Sequence, residues 1–140
     1  AAFLPAGAKR TKAWIYVIPE AKVPARFGLS ETIGVVPGKR RAERFVQDVR
    51  GRFARCEDRD LATDVISADR GRVRRSGTFW STWTFVTEVN EQLAVRFRVG
   101  FVRKGDKVAQ LTFVSSPRDD IRPVHFRDLM VRAGDRLGEL

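Results

Sequence analysis

Arg96 and Arg98 are the residues of this sequence best placed to bind a ligand, because they lie two positions apart in an alternating stretch. In a β-strand, side chains two positions apart point to the same face of the sheet. Both guanidinium groups are therefore expected on one face, where they would attract an anionic group. The opposite, apolar face of the same strand is formed by Leu93, Val95, Phe97, Val99 and Phe101.

The strands before and after this stretch add further groups to the arginine face. Alternation on the preceding strand places Trp80 and Thr84 there, and the following strand adds Thr112. An aromatic ring next to guanidinium groups can hold an anionic or an aromatic ligand. The structural alternative is that Trp80 is covered and the arginines only shield apolar surface. The candidate ligand-binding set is Trp80, Thr84, Arg96, Arg98 and Thr112.

A second group of cations lies in the segment 69–77, which has the sequence DRGRVRRSG. Its two glycines predict a loop at the surface. The candidate anion-binding residues of this loop are Arg72, Arg74 and Arg75. A helix predicted over residues 39–56 carries another row of arginines on its polar face, which either contacts an anionic partner or is only solvated.

Signatures of catalysis and of metal binding are missing from the sequence. His125 is the only histidine, which excludes a metal site with two histidines. Cys56 is the only cysteine, which excludes a disulfide within this chain and a zinc site built from cysteines. Neither a glycine-rich phosphate loop nor a nucleophile elbow is present. We therefore expect no metal and no cofactor, and we favour binding over catalysis.

The composition is that of one basic domain. The 140 residues fit a single domain over 1–140, with residues 1–12 as a loosely held N-terminal arm. Lys and Arg number 27 against 17 Asp and Glu, which gives a formal net charge of +10. This excess favours anionic partners such as nucleic acid, lipid headgroups or acidic cell-wall polymers. No apolar run reaches the ~18 residues that a membrane-spanning helix needs.

Six strands and two helices must position these groups, in the order β-β-α-β-β-β-β-α. The strands are predicted over residues 13–18, 29–36, 61–68, 78–88, 93–101 and 107–115, and the helices over 39–56 and 119–137. Turns are predicted at 89–91 and 104–106, and the pair Asp119–Asp120 is expected to cap the second helix. Each amphipathic helix needs apolar surface to cover. The predicted fold is α+β, a curved antiparallel sheet with two amphipathic helices packed on one face and the other face open.

Three segments of the chain resemble the extracellular sensor-like domains of actinobacteria, the PknH-type domain that is attached to a Ser/Thr kinase or found alone in secreted lipoproteins. The segments are GKRRAERFVQDVRGRFARCED, VRKGDKVAQLTFVSS and VHFRDLMVRAGDRLGEL, within residues 28–140. The resemblance implies a cleft-bearing α+β module that binds an extracellular ligand and has no enzymatic activity of its own. It also implies an extracytoplasmic location, secreted or lipid-anchored.

The main hypothesis is a non-enzymatic, extracytoplasmic sensor-like module. It would recognise an anionic small molecule or a cell-envelope component on its open sheet face. The first alternative is a cytosolic protein that binds nucleic acid without sequence specificity, through the helix 39–56 and the loop 69–77. The second alternative is a small enzyme with a pocket inside the curved sheet.

Overall fold

The computed structural model describes residues 7–16, 27–56 and 63–140, which form six strands and two helices. Their order confirms the order predicted from the sequence. Residues 9–12, predicted as part of a loosely held arm, lie in the first strand, which begins at Lys9. Residues 1–6 of that arm, the end of the first predicted strand and the start of the third lie outside the described residues. The elements are β1 (Lys9–Tyr16), β2 (Gly28–Val35), α1 (Lys39–Phe53), β3 (Thr63–Val73), β4 (Thr78–Asn90), β5 (Leu93–Lys104), β6 (Lys107–Val114) and α2 (Pro123–Leu137).

The six strands form one antiparallel sheet in the order β1-β2-β6-β5-β4-β3. The strands β3 to β6 follow one another as a meander, and the β1–β2 pair is added alongside β6. β1 and β3 are therefore the edge strands of the sheet. Because β2 and β3 lie far apart, the connection between them has to cross the sheet, and α1 lies in that connection.

The turn between β5 and β6 decides which side chains share a face. It consists of Gly105 and Asp106 alone, since Lys104 pairs with Lys107. Gly105 has a φ of 63°, the left-handed conformation that glycine adopts without strain in a tight hairpin turn. The sequence predicted a three-residue turn over 104–106. A turn shorter by one residue moves every side chain of β6 to the other face of the sheet.

The two helices pack on opposite faces of the sheet, which corrects the prediction that both lie on one face. Phe101 of β5 faces α1, and the centre of its ring lies 5.8 Å from that of Phe45. Gly100, the preceding residue, faces α2, and any larger side chain there would meet Met130. Successive residues of a strand point to opposite faces, so α1 and α2 lie on different sides.

Each helix closes its own hydrophobic core, because the sheet is apolar on both faces. The shorter turn places Ala109 and Leu111 of β6 opposite Val102 and Gly100 of β5, on the α2 side. Apolar surface left in water costs free energy, so each face needs its own helix. The α1-side core includes Ala42, Val49, Trp83, Phe85, Val99 and Phe101, and the α2-side core includes Val102, Ala109, Leu111, Phe126, Met130 and Ala133.

β3 extends through much of the segment that the sequence predicted as a basic loop. The strand runs to Val73, and the turn to β4 is confined to residues 74–77. Gly71 does not break the strand; it leaves room for the ring of Trp80, which any larger side chain would meet. The prediction of a loop over 69–77 is therefore wrong for its first five residues.

Candidate functional site

Arg98 is a buried cation on the α2 side of β5, and its side chain is only 7% exposed. Its Nη1 donates a 2.6 Å hydrogen bond to Oγ1 of Thr84, and its Nη2 donates a 2.9 Å bond to Oδ2 of Asp120. Its Nε is also buried, and none of the described residues accepts a hydrogen bond from it. A buried donor without an acceptor costs about 1–3 kcal/mol, which an acceptor in the neighbouring cavity would offset.

Asp120 joins the two arginines of the predicted pair. Its Oδ2 also accepts a hydrogen bond of 3.3 Å from Nη1 of Arg96, whose side chain is half exposed. Its Oδ1 accepts a bond of 2.8 Å from the backbone N–H of Ile121. The prediction that the pair Asp119–Asp120 caps the second helix is therefore wrong. Asp120 is held by the arginines, and α2 begins at Pro123 without a side-chain cap.

A cavity of about 300 Å³ lies beside Arg98, between the β3–β4 edge of the sheet and the first turn of α2. We call it the Arg98 cavity. Its wall carries three hydroxyl groups, two guanidinium groups and one carboxylate. The lining residues are Ser67, Asp69, Thr82, Thr84, Arg98, Pro123, Val124, Phe126 and Arg127.

The Arg98 cavity is electrostatically suited to a small anion. The first amides of α2 have no capping side chain, and helix N-termini carry unsatisfied N–H groups and a partial positive charge. Arg98 and Arg127 add two guanidinium groups to the wall, against the single lining carboxylate of Asp69. Asp120 pairs with Arg98 and Asp128 with Arg127 from outside the lining, so the donors of the cavity, rather than a large net charge, favour an anion. A carboxylate, phosphate or sulfate group would accept charge-assisted hydrogen bonds from these donors.

The structure brings three of the five predicted ligand-binding residues together. Thr84 and Arg98 line the Arg98 cavity, and Arg96 joins them through Asp120. The cavity also uses Thr82, which follows the same alternation as Thr84 and carries the same signal in the sequence. Ser67 lies on the edge strand β3, and Arg127, the second arginine of the cavity, lies on α2. No sequence pattern indicates that β3 and α2 meet.

The other two predicted residues do not line the Arg98 cavity. Trp80 lies further along the same face of β4 and packs against the α2-side core. Thr112 lies on the α1 side, because the shorter β5–β6 turn pairs it with Val99. Its hydroxyl accepts a hydrogen bond of 3.1 Å from Nε2 of Gln110. Thr112 is therefore separated from the arginines by the sheet.

The three cations predicted to form an anion-binding loop are divided between two elements. Arg72 lies on β3, and its guanidinium carbon is 4.9 Å from the ring centre of Phe79. Arg74 and Arg75 are exposed in the turn to β4. Arg72 points to the α1 side, where it lines a second depression that sequence reasoning did not find.

That depression is a groove between α1 and the β3–β4 edge, which we call the α1-side groove. It consists of two adjoining cavities of about 620 and 590 Å³, which share Gln47, Arg50 and Arg70. It exists because α1 packs chiefly on the middle strands of the sheet, and its side chains do not fill the space above residues 68–72 of β3. Its charged lining residues are Glu43, Arg50, Asp69, Arg70, Arg72 and Arg103.

A third depression, of about 370 Å³, lies between β1 and the end of α2. The carboxylate of Glu31 is its most buried polar group, at 3% exposed. Its Oε2 accepts hydrogen bonds from the hydroxyl of Tyr16 at 2.8 Å and from Nη2 of Arg136 at 2.7 Å. The pKa of Tyr16 is raised above its ordinary value, mainly because the phenol is partly buried and also because it donates this hydrogen bond to Glu31.

This environment predicts a late titration of Tyr16, the only tyrosine of the sequence. A phenol whose folded-state pKa is raised stabilises the fold at all pH values below its unfolded pKa. That contribution is lost as the pH rises through the folded pKa. The absorbance of tyrosinate in a pH titration should give a midpoint above that of a blocked tyrosine, and Glu31→Gln should lower it. A midpoint at or below the blocked amino acid would contradict the hydrogen bond.

Two further properties concern the part of the chain that the structure describes. No group of three or more His, Cys, Asp or Glu residues in it could hold a metal ion. Neither of its helices is long and apolar enough to cross a membrane. His125 is exposed on α2, with Nε2 3.3 Å from Nη2 of Arg122.

Comparisons with known proteins identify a fold neighbour but no family. No protein-family model matches the chain, and no curated protein is similar to it in sequence. The fold is similar to the crystal structure of PA94 from Pseudomonas aeruginosa, a protein of unknown function for which a role as a regulator has been suggested. The TM-score is 0.53 at 14% sequence identity, over 93% of this chain and 84% of that one. At this identity the likeness shows a shared fold alone.

Proposed function

We propose that this protein is a binding module for a small anionic molecule, with the Arg98 cavity as its site. The observation that carries this proposal is the state of Arg98. It is a buried cation whose Nε has no acceptor among the described residues. It lines a polar cavity at the uncapped N-terminus of α2. An anion in this cavity would accept hydrogen bonds from a guanidinium group, from hydroxyl groups and from helix amides.

The energetics of Arg98 favour a role in binding over a purely structural one. Replacing a buried ion pair by packed apolar residues is often neutral or stabilising, so a buried ion pair is a weak source of stability. The neighbouring hydroxyls of Thr82 and Ser67 also line open space, where apolar side chains would fill a purely structural interior more tightly. These polar groups are better explained by a polar ligand.

A sensing role outside the cytoplasm is the wider form of this proposal. It draws on the resemblance of residues 28–140 to secreted sensor-like domains. Cell fractionation of the full-length gene product in its native host tests the location. Recovery in the cytosolic fraction would remove the extracytoplasmic part of the proposal and leave the anion site untouched.

The anion site is tested by measuring thermal unfolding and calorimetric binding with inorganic phosphate, sulfate and citrate. At least one of these anions should bind, and at ten times its Kd it should add about 1.4 kcal/mol to the free energy of unfolding. Thr82→Val keeps the shape of a cavity-lining residue and removes its hydroxyl, so it should weaken binding severalfold.

Thr112→Val is the matched control, because Thr112 lies on the opposite face of the sheet. It should leave anion affinity unchanged, even if loss of its bond to Gln110 lowers stability. Arg98→Lys keeps the charge and removes the Nε donor, and it should weaken binding more than Thr82→Val. Equal affinities in all four proteins, or binding of none of the three anions, would reject the Arg98 cavity as the site.

A further inference from the structure

The lining of the α1-side groove has a surplus of positive charge. Four arginines and two carboxylates line it. Nη2 of Arg103 lies 3.5 Å from Oε1 of Glu43. For the other three arginines, Arg50, Arg70 and Arg72, no acidic side chain within the described ranges lies close enough to form an ion pair. Among the described residues these three charges have no acidic partner, and they would attract an external anion.

One wall of the same groove is the open edge of the sheet. Residues 67–73 of β3 pair in regular register with β4 only, and the backbone groups on their outer side have no strand partner in the described sheet. An exposed edge of this length is a template for an added strand. Side chains of an added strand would alternate between the two faces of the sheet. Those on the α1 side would enter the groove.

The spacing of the arginines matches such a strand. Arg70 and Arg72 lie two residues apart on β3 and share the α1 face. Two strands that pair have nearly the same rise per residue, so acidic residues at alternate positions of the added strand would meet these two guanidinium groups in register. Arg50 of α1 lines the groove from the opposite wall.

We propose that the α1-side groove and the β3 edge bind an extended acidic polypeptide segment by strand addition. The backbone of the segment pairs with β3, and its alternate carboxylates pair with Arg70, Arg72 and Arg50. This site is distinct from the Arg98 cavity, which lies on the other face of the sheet.

Single-stranded nucleic acid is the competing polyanion, and the aromatic residues of the groove disfavour it. Proteins that bind single strands stack the bases on open aromatic rings. Two guanidinium groups already lie over the ring of Phe79, with their carbons 4.9 Å (Arg72) and 4.6 Å (Arg103) from its centre, although the residue is 37% exposed. Trp83 is only 5% exposed, and the ring of Trp80 packs against Gly71 and the α2-side core. A carboxylate-bearing strand needs no stacking surface, and the edge of β3 offers it hydrogen bonds.

The test uses the whole chain and a fluorescent peptide of about ten residues in which glutamate and threonine alternate. Its affinity is measured by fluorescence anisotropy at low and at physiological salt. The peptide should bind, and its counterpart with lysine in place of glutamate should not. A version with N-methylated backbone amides keeps every charge but loses the amide donors, and it should bind at least about tenfold more weakly. Oligothymidylate of similar length should also bind more weakly than the acidic peptide.

Paired charge reversals locate the site. The double variant Arg70→Glu with Arg72→Glu should bind the acidic peptide at least about tenfold more weakly than the wild-type protein does. The double variant Arg41→Glu with Arg44→Glu makes the same change in net charge at exposed residues of α1 that do not line the groove. It should lower the affinity for the acidic peptide much less. Equal losses in the two double variants would overturn the assignment to the groove. An unchanged affinity of the N-methylated peptide would overturn strand addition, and tighter binding of oligothymidylate would favour nucleic acid. Whichever of phosphate, sulfate and citrate binds at the Arg98 cavity should still bind in both variants.

Discussion

Replacing Phe101 by alanine is expected to lower the free energy of unfolding by about 3–5 kcal/mol. Phe101 is 0% exposed at the middle of the sheet. Its ring centre lies 5.8, 6.1 and 6.3 Å from those of Phe45, Phe53 and Trp83. Truncation would leave a cavity between α1 and the sheet, which these rings cannot fill without leaving their preferred rotamers.

Urea unfolding of the variant and of a matched control measures this effect. Phe97→Ala removes the same side chain from the same strand and the same face. The ring of Phe97 stacks on that of Phe85, with centres 5.0 Å apart, but Phe97 is partly exposed. Phe97→Ala should therefore lower the free energy of unfolding clearly less than Phe101→Ala does, although Phe97 is the central residue of the alternating stretch. The reverse order would mean that α1 covers the other end of β5.

Arg98→Met is expected to cost about 2–3 kcal/mol, because it removes the partner of Asp120 and leaves Thr84 without its donor. Arg96→Ala should cost less than about 1 kcal/mol, although Arg96 reaches the same carboxylate oxygen. The difference is exposure, since the Arg96 side chain is 50% exposed and that of Arg98 is 7% exposed. Chemical denaturation of the two variants gives both values.

A double-mutant cycle separates the ion pair from the loss of packing. Asp120→Asn in the Arg98→Met background should cost less than the same change in the wild-type protein, because the charge it removes has already lost its buried partner. Additive effects would indicate that the two charges do not interact. The alternating pattern of β5 predicts Arg98 on the open face of the sheet, and the burial of its side chain makes that prediction wrong.

The elements of the fold could be predicted from the sequence because their signals are local. Alternation in β4 and β5 and the apolar stripes of the two helices each depend on residues close together in the chain. The same alternation predicts that Phe79, Trp83 and Phe85 share one face of β4, and their pairing partners Arg103, Val99 and Phe97 in β5 confirm it.

The arrangement of the helices could not be predicted, because it depends on one residue in one turn. If Lys104 belonged to the turn, Leu111 would share a face with Phe101, and a single apolar face would suffice for both helices. With Lys104 paired to Lys107, Leu111 lies opposite Gly100. Gly100 and Arg98 also look like surface residues, yet the first leaves room for Met130 and the second is neutralised by Asp120. Small and charged residues in a strand therefore do not identify an exposed face.

The candidate site was predictable only where it follows the strand pattern. Thr84 and Arg98 share a face by simple alternation, and the structure places them in contact. Asp120 and Arg127 come from a loop and a helix, and their positions depend on how α2 crosses the sheet. The α1-side groove depends on the lateral position of a helix over four strands, for which the sequence contains no signal.

The pairing of β2 with β6 has a consequence for how the chain folds. The paired residues lie roughly 70 to 90 positions apart in the sequence, so this pairing closes a long loop and carries its full entropic cost. The meander β3 to β6 needs only short turns and can form before that closure. During synthesis, β2 leaves the ribosome long before β6 is made, and its apolar residue Ile33 stays without its sheet partner until then. β2 is thus synthesised before the meander but reaches its final neighbour only after β6 has formed.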